Sequence, residues 1–178
     1  MIIGKEDTAL DMRKATLIFL VKKNNGEVAE LCLARKRKNK SFGGGRWNGV
    51  GGKVEEGETF EEGARREAFE EIGVKLGRLD KVGEITFIFP HEPKWDQQVE
   101  VFFAHSWEGE PSESEEMVSP TWFKAGELPF EMMWEDDQYW LPVVLSGKLI
   151  SAVFTFGQND VILDKKVDQV GAFIGKKN

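Results

Sequence analysis

The sequence predicts an α/β fold of the α+β kind, in which helices pack on both faces of a mixed β-sheet. Short apolar or alternating segments, typical of strands, occur in the first, middle and last thirds of the chain. Two segments carry helix signals, one after residue 59 and one after residue 136. With 178 residues and no low-complexity tract, the chain is expected to form one domain over residues 1–178.

The N-terminal part predicts a hairpin. Residues 1–13 show no hydrophobic period and are expected to form a loose arm. The continuous apolar run 16–21 predicts a strand buried on both faces. The turn sequence at 24–26 then leads back into a second strand, 28–34. A glycine-rich connection over 42–52 follows.

The first helix is expected to start near Phe60. Thr59 and Glu62 stand three residues apart, the spacing of a capping box. Gly73 is placed to end the helix, because glycine adopts the left-handed cap conformation without steric cost. At 100° per residue, one apolar stripe contains Phe60, Ala64, Ala68 and Ile72.

Alternating residues predict two further strands at 82–89 and 99–103. An acidic turn over 108–116, a short extended piece at 121–123 and an irregular stretch over 127–135 are expected next.

The second helix is expected to open at Asp136 and end at Gly147, with Pro142 bending it or delaying its start. The segments 149–156 and 161–163 then predict a closing hairpin.

Charge and cysteine content exclude several function classes. The net charge of −7 argues against a nucleic-acid polymer as partner. A single cysteine, Cys32, allows no intrachain disulfide, and the chain shows neither a signal peptide nor a run long enough to cross a membrane. A cytoplasmic monomer with a small-molecule partner and no membrane contact is therefore expected.

A basic run precedes the first helix. Between residues 35 and 46 there are six lysines and arginines and no acid, which would suit a substrate carrying phosphates. The alternative is an ordinary solvated loop.

The first helix places carboxylates beside its apolar stripe. Glu67, Glu70 and Glu71 lie along one flank instead of opposite the buried face. Carboxylates held together beside a buried surface repel one another unless a cation joins them. Hard cations with oxygen ligands fit this pattern, Mg²⁺ above all, with Mn²⁺ as a second possibility. A glutamate-rich surface helix is the alternative interpretation.

This segment resembles the Nudix box, GX5EX7REUXEEXGU, at each fixed position. The matching residues are Gly52, Glu58, Arg66, Glu67, Ala68, Glu70, Glu71, Gly73 and Val74. The flanking segments 42–52 and 133–140 resemble the Nudix subgroup that hydrolyses oxidised purine nucleoside triphosphates. The resemblance runs from about residue 16 to 167 and implies the family's α/β/α sandwich.

The resemblance implies a catalytic set on the first helix. It comprises Arg66, Glu67, Glu70 and Glu71, with Arg66 orienting Glu70 and within reach of Glu58. The implied metal ligands are Gly52, Glu67, Glu70, Glu71 and Glu116. Glu70, Glu71 and Glu116 all remain candidates for the general base.

Base recognition requires a flat apolar slot and a few hydrogen-bonding groups. The residues assigned to it are Thr16, Arg35, Phe42, Asn48, Phe87, Met117, Trp134, Asp136 and Asp137. Structural alternatives stand beside these roles, since Trp134 could belong to the core, Asn48 could serve a turn, and Asp136 could cap a helix. The chain departs from the subgroup at Glu135, where proline is frequent, and at Arg35, where a pocket lysine is expected.

The leading hypothesis is a Mg²⁺-dependent diphosphatase that converts nucleotides such as 8-oxo-dGTP to the monophosphate and pyrophosphate. The alternatives are a Nudix hydrolase acting on another nucleoside diphosphate derivative and a Nudix-fold binding module without catalysis. The intact glutamate trio argues against the last, because clustered carboxylates without a metal are destabilising.

Overall fold

The computed structural model describes residues 12–39 and 42–174, and in this part of the chain two α-helices flank a mixed β-sheet. The strands are β1 (Arg13–Asn24), β2 (Glu27–Lys36), β3 (Trp47–Asn48), β4 (Lys75–Leu76), β5 (Leu79–Ile88), β6 (Gln97–Ala104), β7 (Trp107–Glu108), β8 (Met117–Lys124), β9 (Leu149–Phe156) and β10 (Ile162–Val170). The helices are α1 (Phe60–Ile72) and α2 (Asp137–Leu145).

Eight strands form the main sheet. Its order is β10-β9-β5-β6-β1-β2-β3, with β8 also paired to β2, while β4 and β7 form a separate two-stranded sheet. The pairs β1–β6 and β5–β9 are parallel and the remaining pairs are antiparallel. The predicted mixed sheet is therefore confirmed.

Alternation along β1 separates two hydrophobic clusters. Phe19 and Val21 belong to the cluster that contains residues of α2, whereas Ile18 and Leu20 belong to the one that contains residues of α1. Both faces of β1 are thus buried, as its continuous apolar run predicts. This central strand holds the two halves of the core together.

Helix α1 has the predicted ends. The Thr59 hydroxyl accepts a hydrogen bond from the Glu62 backbone at 3.1 Å, and the Glu62 carboxylate accepts one from the Thr59 backbone at 2.7 Å. Gly73 ends the helix at φ 73° and donates its N–H to the Phe69 carbonyl. Three members of the apolar stripe are buried, namely Ala64, Ala68 and Ile72.

Helix α2 buries Trp140, Leu141 and Val144 against the opposite face of the sheet. It begins at Asp137 and continues through Pro142, so the proline does not delay its start. No helix in the described ranges is long and apolar enough to cross a membrane.

Several element boundaries differ from prediction. Residues 1–11 of the expected arm lie outside the described residues, and Arg13 already belongs to β1. The piece predicted at 121–123 is part of the longer strand β8, and residues 162 and 163 of the piece predicted at 161–163 begin the longer strand β10. The two-residue strands β3, β4 and β7 carry no periodic signal, because two residues cannot show alternation.

Candidate active site

A cavity of about 210 Å³ lies between the glycine-rich segment before α1 and the residues that open α2. Ten of the residues predicted for metal or substrate line it: Thr16, Phe42, Asn48, Gly52, Glu71, Phe87, Met117, Trp134, Asp136 and Asp137. The structure therefore brings together residues from β1, β5, β8, both helices and their connections.

Trp134 forms an aromatic wall of this cavity. Its ring centroid lies 5.0 Å from that of Phe42, at an interplanar angle of 38°, and 5.8 Å from that of Phe156. A Cβ atom at residue 43 would lie 3.2 Å from the Trp134 ring, and Gly43 has a φ of +73°. Glycine at this position lets the loop backbone approach the indole closely.

Asp136 and Asp137 are buried next to this wall, with 3 % and 2 % of their surface exposed. Oδ2 of Asp136 accepts a hydrogen bond from Nε1 of Trp140 at 2.8 Å, and Oδ2 of Asp137 accepts one from the Trp134 backbone at 3.1 Å. Asp136 stands at the cap position of α2 but makes no capping hydrogen bond with its side chain. It is therefore not an ordinary N-cap.

Burial raises the pKa of both aspartates, and the charge of Asp136 raises the pKa of Asp137 further. At Asp136 the Trp140 hydrogen bond opposes the effect of burial. The arrangement favours at least one protonated carboxyl in this pair, and such a group donates a hydrogen bond where a carboxylate only accepts.

Asn48 and Thr16 lie on the side of the cavity formed by the glycine-rich segment. Oδ1 of Asn48 accepts a hydrogen bond from the Gly49 backbone at 2.8 Å, so this residue shapes the turn as well as lining the cavity. The Thr16 backbone N–H donates to the Gly52 carbonyl at 2.9 Å, which ties the segment to β1. A Cβ at Gly51 would lie 2.0 Å from the Thr16 carbonyl oxygen, so this close approach requires glycine.

Glu71 extends from α1 to the same segment. Its Oε2 accepts a hydrogen bond from the Gly51 backbone at 2.9 Å, and only 7 % of the residue is exposed. Burial raises the pKa of Glu71 to about 8, and the negative charges of Glu67 and Glu116 contribute in the same direction.

Arg66 links the other carboxylates of this helix. It donates to both oxygens of Glu58, at 2.7 and 2.9 Å, to Glu67 at 2.8 Å and to Glu70 at 3.2 Å. Its hydrogen bonds hold the pKa of Glu58 down at about 2, whereas burial raises the pKa of Glu67 despite the same cation. The predicted pairings of Arg66 with Glu70 and Glu58 are thus present.

Comparison with known proteins assigns this arrangement to a family. A model of the NUDIX domain matches residues 11–144. The chain belongs to the Nudix family.

The chain is 46 % identical to the mouse protein named oxidized purine nucleoside triphosphate hydrolase over 136 residues, covering 76 % of this chain and 86 % of that protein. It is also 46 % identical to the zebrafish protein of the same name over 133 residues, covering 75 % and 84 %. The crystal structure of a MutT protein from Bacillus halodurans superposes with a TM-score of 0.72 at 24 % identity, covering 88 % of this chain and 98 % of that one. The last comparison confirms the fold.

Nudix hydrolases generally use divalent cations, and the residues here fit one. Gly52 leaves room for the Glu67 carboxylate, since a Cβ there would lie 2.7 Å from it. Glu71 is repelled by Glu67 and Glu116, and a cation between these groups would relieve that repulsion. In residues 12–39 and 42–174 no three acidic, histidine or cysteine side chains are already gathered as a metal site, and Arg66 forms ion pairs with Glu67 and Glu70.

One residue assigned to the pocket does not line it. Arg35 instead lies over the Trp47 ring, 5.6 Å from its centroid, and Lys36 lines the cavity. Successive residues of β2 point to opposite faces, so Arg35 and Lys36 have different surroundings.

Sequence reasoning also missed lining residues outside the motif. The most informative are Arg46, Phe89 and Phe156. Phe89 belongs to a predicted strand, and Arg46 to the basic run, but neither pattern indicates which face meets a ligand. Phe156 ends β9 and follows Trp134 by more than twenty residues, so no local spacing connects them.

Proposed function

We propose that this Nudix protein hydrolyses oxidised purine nucleoside triphosphates, such as 8-oxo-dGTP, to the monophosphate and pyrophosphate. The observation that carries the proposal is one cavity that combines the Trp134 wall and two buried aspartates with Glu71 of the Nudix helix. The mouse and zebrafish relatives, which are named for this activity, support the same substrate class.

The aromatic end of the cavity suits a purine. Trp134 and Phe42 supply flat apolar surface, and stacking on such surfaces is favourable for any base. Asp136 and Asp137 supply hydrogen-bonding groups whose protonation differs from that of exposed aspartates. A buried polar group left unpaired by the wrong ligand costs free energy, which is how such a site selects among bases.

The other end of the cavity suits the phosphates. Basic side chains line it at Arg13, Lys36 and Lys53. These cations would attract the triphosphate and hold it across the glycine-rich segment toward α1.

We assign a Mg²⁺ site to the carbonyl of Gly52 and the carboxylates of Glu67, Glu70, Glu71 and Glu116. When bound, Mg²⁺ would neutralise charge on the phosphate oxygens and lower the pKa of a coordinated water. Arg66 would orient Glu67 and Glu70, which it already contacts at 2.8 and 3.2 Å. The attacking water would lose its proton to Glu70, Glu71 or Glu116, and of these Glu71 lines the cavity.

The consequence for the cell would be removal of oxidised purines before a polymerase can use them. An enzyme with this role would act on free nucleotides in the cytoplasm, where no nucleic-acid polymer or membrane is needed as partner.

The test is a panel of substrates with Mg²⁺ and identified products. We expect 8-oxo-dGTP and an oxidised dATP to yield monophosphate and pyrophosphate, with kcat/KM well above that for dGTP. Reaction in ¹⁸O-labelled water would show which phosphorus atom is attacked. The panel includes a sugar nucleotide and a capped RNA fragment, and cleavage of these with none of the oxidised triphosphates would overturn the assignment. Tight binding of 8-oxo-dGTP with no turnover would show a binding module instead.

A further inference from the structure

The turn between β9 and β10, together with the residue on either side of it, contacts the residues around Trp134 in three places. It spans residues 157–161, beyond residue 144 where the match to the NUDIX domain ends. Phe156, just before the turn, packs its ring 5.8 Å from that of Trp134 at an angle of 73°. The other two attachments are polar and involve Asp160 and Glu135.

Asp160 holds Arg46. The Arg46 guanidinium donates to Oδ2 of Asp160 at 3.0 Å, and both side chains are about 30 % exposed, at 31 % and 29 %. The same guanidinium lies over the Trp134 ring, 4.2 Å from its centroid. Arg46 therefore lies between a carboxylate and the indole. The attraction between its cation and the face of the Trp134 ring stabilises the position of that ring.

Glu135 provides the other polar link. Its Oε2 accepts a hydrogen bond from the Ile162 backbone at 3.0 Å, where β10 begins. Glu135 is the position at which the chain departs from the proline frequent in this subgroup. Because Glu135 lies between Trp134 and Asp136, its hydrogen bond with Ile162 ties the backbone of residues 134–136 to the hairpin of β9 and β10.

The turn has the rigidity that such a role requires. Asn159 and Asp160 both have positive φ angles, 61° and 57°, a conformation that costs free energy for residues other than glycine. Such geometry persists where surrounding contacts define it. The Arg46 ion pair and the hydrogen bond from Gly157 to the Val161 carbonyl at 2.8 Å supply those contacts.

We propose that this turn is a brace, meaning a support that fixes the position of Trp134 in the apolar slot that receives the base. Asp160 and Glu135 are its positioning residues. Asp160 holds Trp134 through Arg46, and Glu135 holds it through the backbone. The Trp134 backbone N–H also donates to Asp137 at 3.1 Å, so a shift of Trp134 would move one of the two buried acids. The brace therefore sets how well the slot distinguishes an oxidised purine from an ordinary one. The inference rests on the proposed function.

The test uses variants that keep the turn intact. Asp160→Asn removes the charge but suits the positive φ, because asparagine adopts this conformation readily. Glu135→Ala removes the acceptor for Ile162, and Glu135→Gln restores one. Asp168→Asn is the matched control, since Asp168 lies on β10 and pairs only with exposed Lys166 at 3.2 Å among the ion pairs of the described residues.

We expect Asp160→Asn and Glu135→Ala each to raise the KM for 8-oxo-dGTP about three- to tenfold, in the range measured for coupled contacting groups. The kcat should change less than about twofold, because the residues on α1 that act on the phosphates are untouched. The preference for 8-oxo-dGTP over dGTP should fall in both variants, and Glu135→Gln should recover most of it. Isothermal titration with 8-oxo-dGMP should show the same loss of affinity without turnover.

Normal KM and normal selectivity in Asp160→Asn and Glu135→Ala would overturn the brace. This holds even if the melting temperatures of these variants fall, because the turn would then contribute to stability alone. An effect of equal size in Asp168→Asn would overturn it too. Failure of the proposed function looks different, because the unmutated protein would then neither hydrolyse 8-oxo-dGTP nor bind 8-oxo-dGMP.

Discussion

The Oε2 atom of Glu71 lies 2.9 Å from the backbone nitrogen of Gly51, and this hydrogen bond joins α1 to the glycine-rich segment at the cavity. The bond requires two unusual features at once, a buried carboxylate and a backbone that passes very close to β1. A carboxylate that accepts from a backbone N–H is oriented without a side-chain partner. Its remaining oxygen can therefore face the cavity that Glu71 lines.

Glu71→Gln should reduce turnover by several powers of ten, because charge stabilisation at the phosphates is a large catalytic contribution. The glutamine carbonyl can still accept from Gly51, so the fold should be retained. Steady-state kinetics with Mg²⁺ and 8-oxo-dGTP measure the loss, and circular dichroism checks the fold. Near-normal turnover would show that Glu71 is not a metal ligand.

The same substitution should change how stability depends on pH in metal-free buffer. Burial raises the pKa of Glu71 in the folded state to about 8, so the folded state binds more protons than the unfolded state as pH rises above the ordinary glutamate pKa. The free energy of unfolding should therefore fall between about pH 5 and pH 9 in the unmutated protein and fall less in Glu71→Gln. Melting curves across this range, with EDTA present, provide the measurement. Parallel curves would contradict it.

Gly51 and Gly52 should respond differently to alanine. A Cβ at Gly51 would meet the Thr16 backbone oxygen at 2.0 Å, which cannot move without displacing β1. Gly51→Ala should therefore lower the free energy of unfolding by about 1–3 kcal/mol, as overpacking does. A Cβ at Gly52 meets the Glu67 carboxylate, which is flexible, so Gly52→Ala should spare stability and instead weaken activation by Mg²⁺.

Urea unfolding and a Mg²⁺ titration of activity separate these two effects. Gly49 offers a further comparison, because a Cβ there would lie 2.5 Å from the Ile18 carbonyl oxygen, again a backbone atom. Gly49→Ala should thus behave like Gly51→Ala. If Gly52→Ala loses stability but keeps its normal Mg²⁺ requirement, the proposal that Gly52 lies at a metal site is contradicted.

Trp134→Ala should weaken binding of the oxidised nucleotide by about 1–3 kcal/mol, the usual contribution of base stacking on an aromatic side chain. The effect should appear mainly in KM, because Trp134 lies at the base end of the cavity. Phe123→Ala is a comparison outside the cavity, since Phe123 packs on Trp47 at 5.1 Å between ring centroids. A Trp134→Ala protein that unfolds while Phe123→Ala does not would show that Trp134 serves the core.

Local sequence signals predicted α1, and the resemblance to the Nudix family predicted ten of the residues that line the cavity. The capping box, the glycine stop and the apolar stripe all act within one or two turns of helix, and the structure confirms each. The same holds for the strands with strong alternation. In contrast, β10 reads Ile-Leu-Asp-Lys-Lys-Val-Asp-Gln-Val and is mostly exposed at the edge of the sheet, so its hydrophobic pattern is too weak to define its length.

Contacts between distant segments could not be predicted in this way. Arg46 and Asp160 are 114 residues apart, and neither carries a sign of the other in its local sequence. The different positions of Arg35 and Lys36 relative to the cavity have another cause, since successive side chains of a strand point to opposite faces. The motif therefore predicts which segments meet, whereas the face presented and the supporting contacts come from the fold.

Asp136 and Asp137 are expected to share one proton. Two buried carboxyls with raised pKa values do not ionise together readily, so the pair can offer one donor and one acceptor, and moving the proton exchanges their positions. Oxidised guanine and oxidised adenine present different orders of donors and acceptors, and a movable proton would serve both. We expect hydrolysis of both purines, with an affinity that weakens at high pH where the pair loses this proton.

Asp136→Asn and Asp137→Asn should each fix which position donates a hydrogen bond and which accepts one. Each should therefore shift the ratio of kcat/KM between 8-oxo-dGTP and an oxidised dATP. Alanine at both positions should abolish binding of either nucleotide. Asparagine can still accept from Trp140 Nε1 or from the Trp134 backbone, so the hydrogen bonds that orient the two side chains are retained. KM measured against pH for both nucleotides gives the second readout. In the asparagine variants the affinity should no longer weaken at high pH, because their arrangement of donor and acceptor does not depend on a proton. An equal loss for both purines in each asparagine variant, with the ratio unchanged, would defeat the shared proton and leave the pair as structural supports for Trp140 and Trp134.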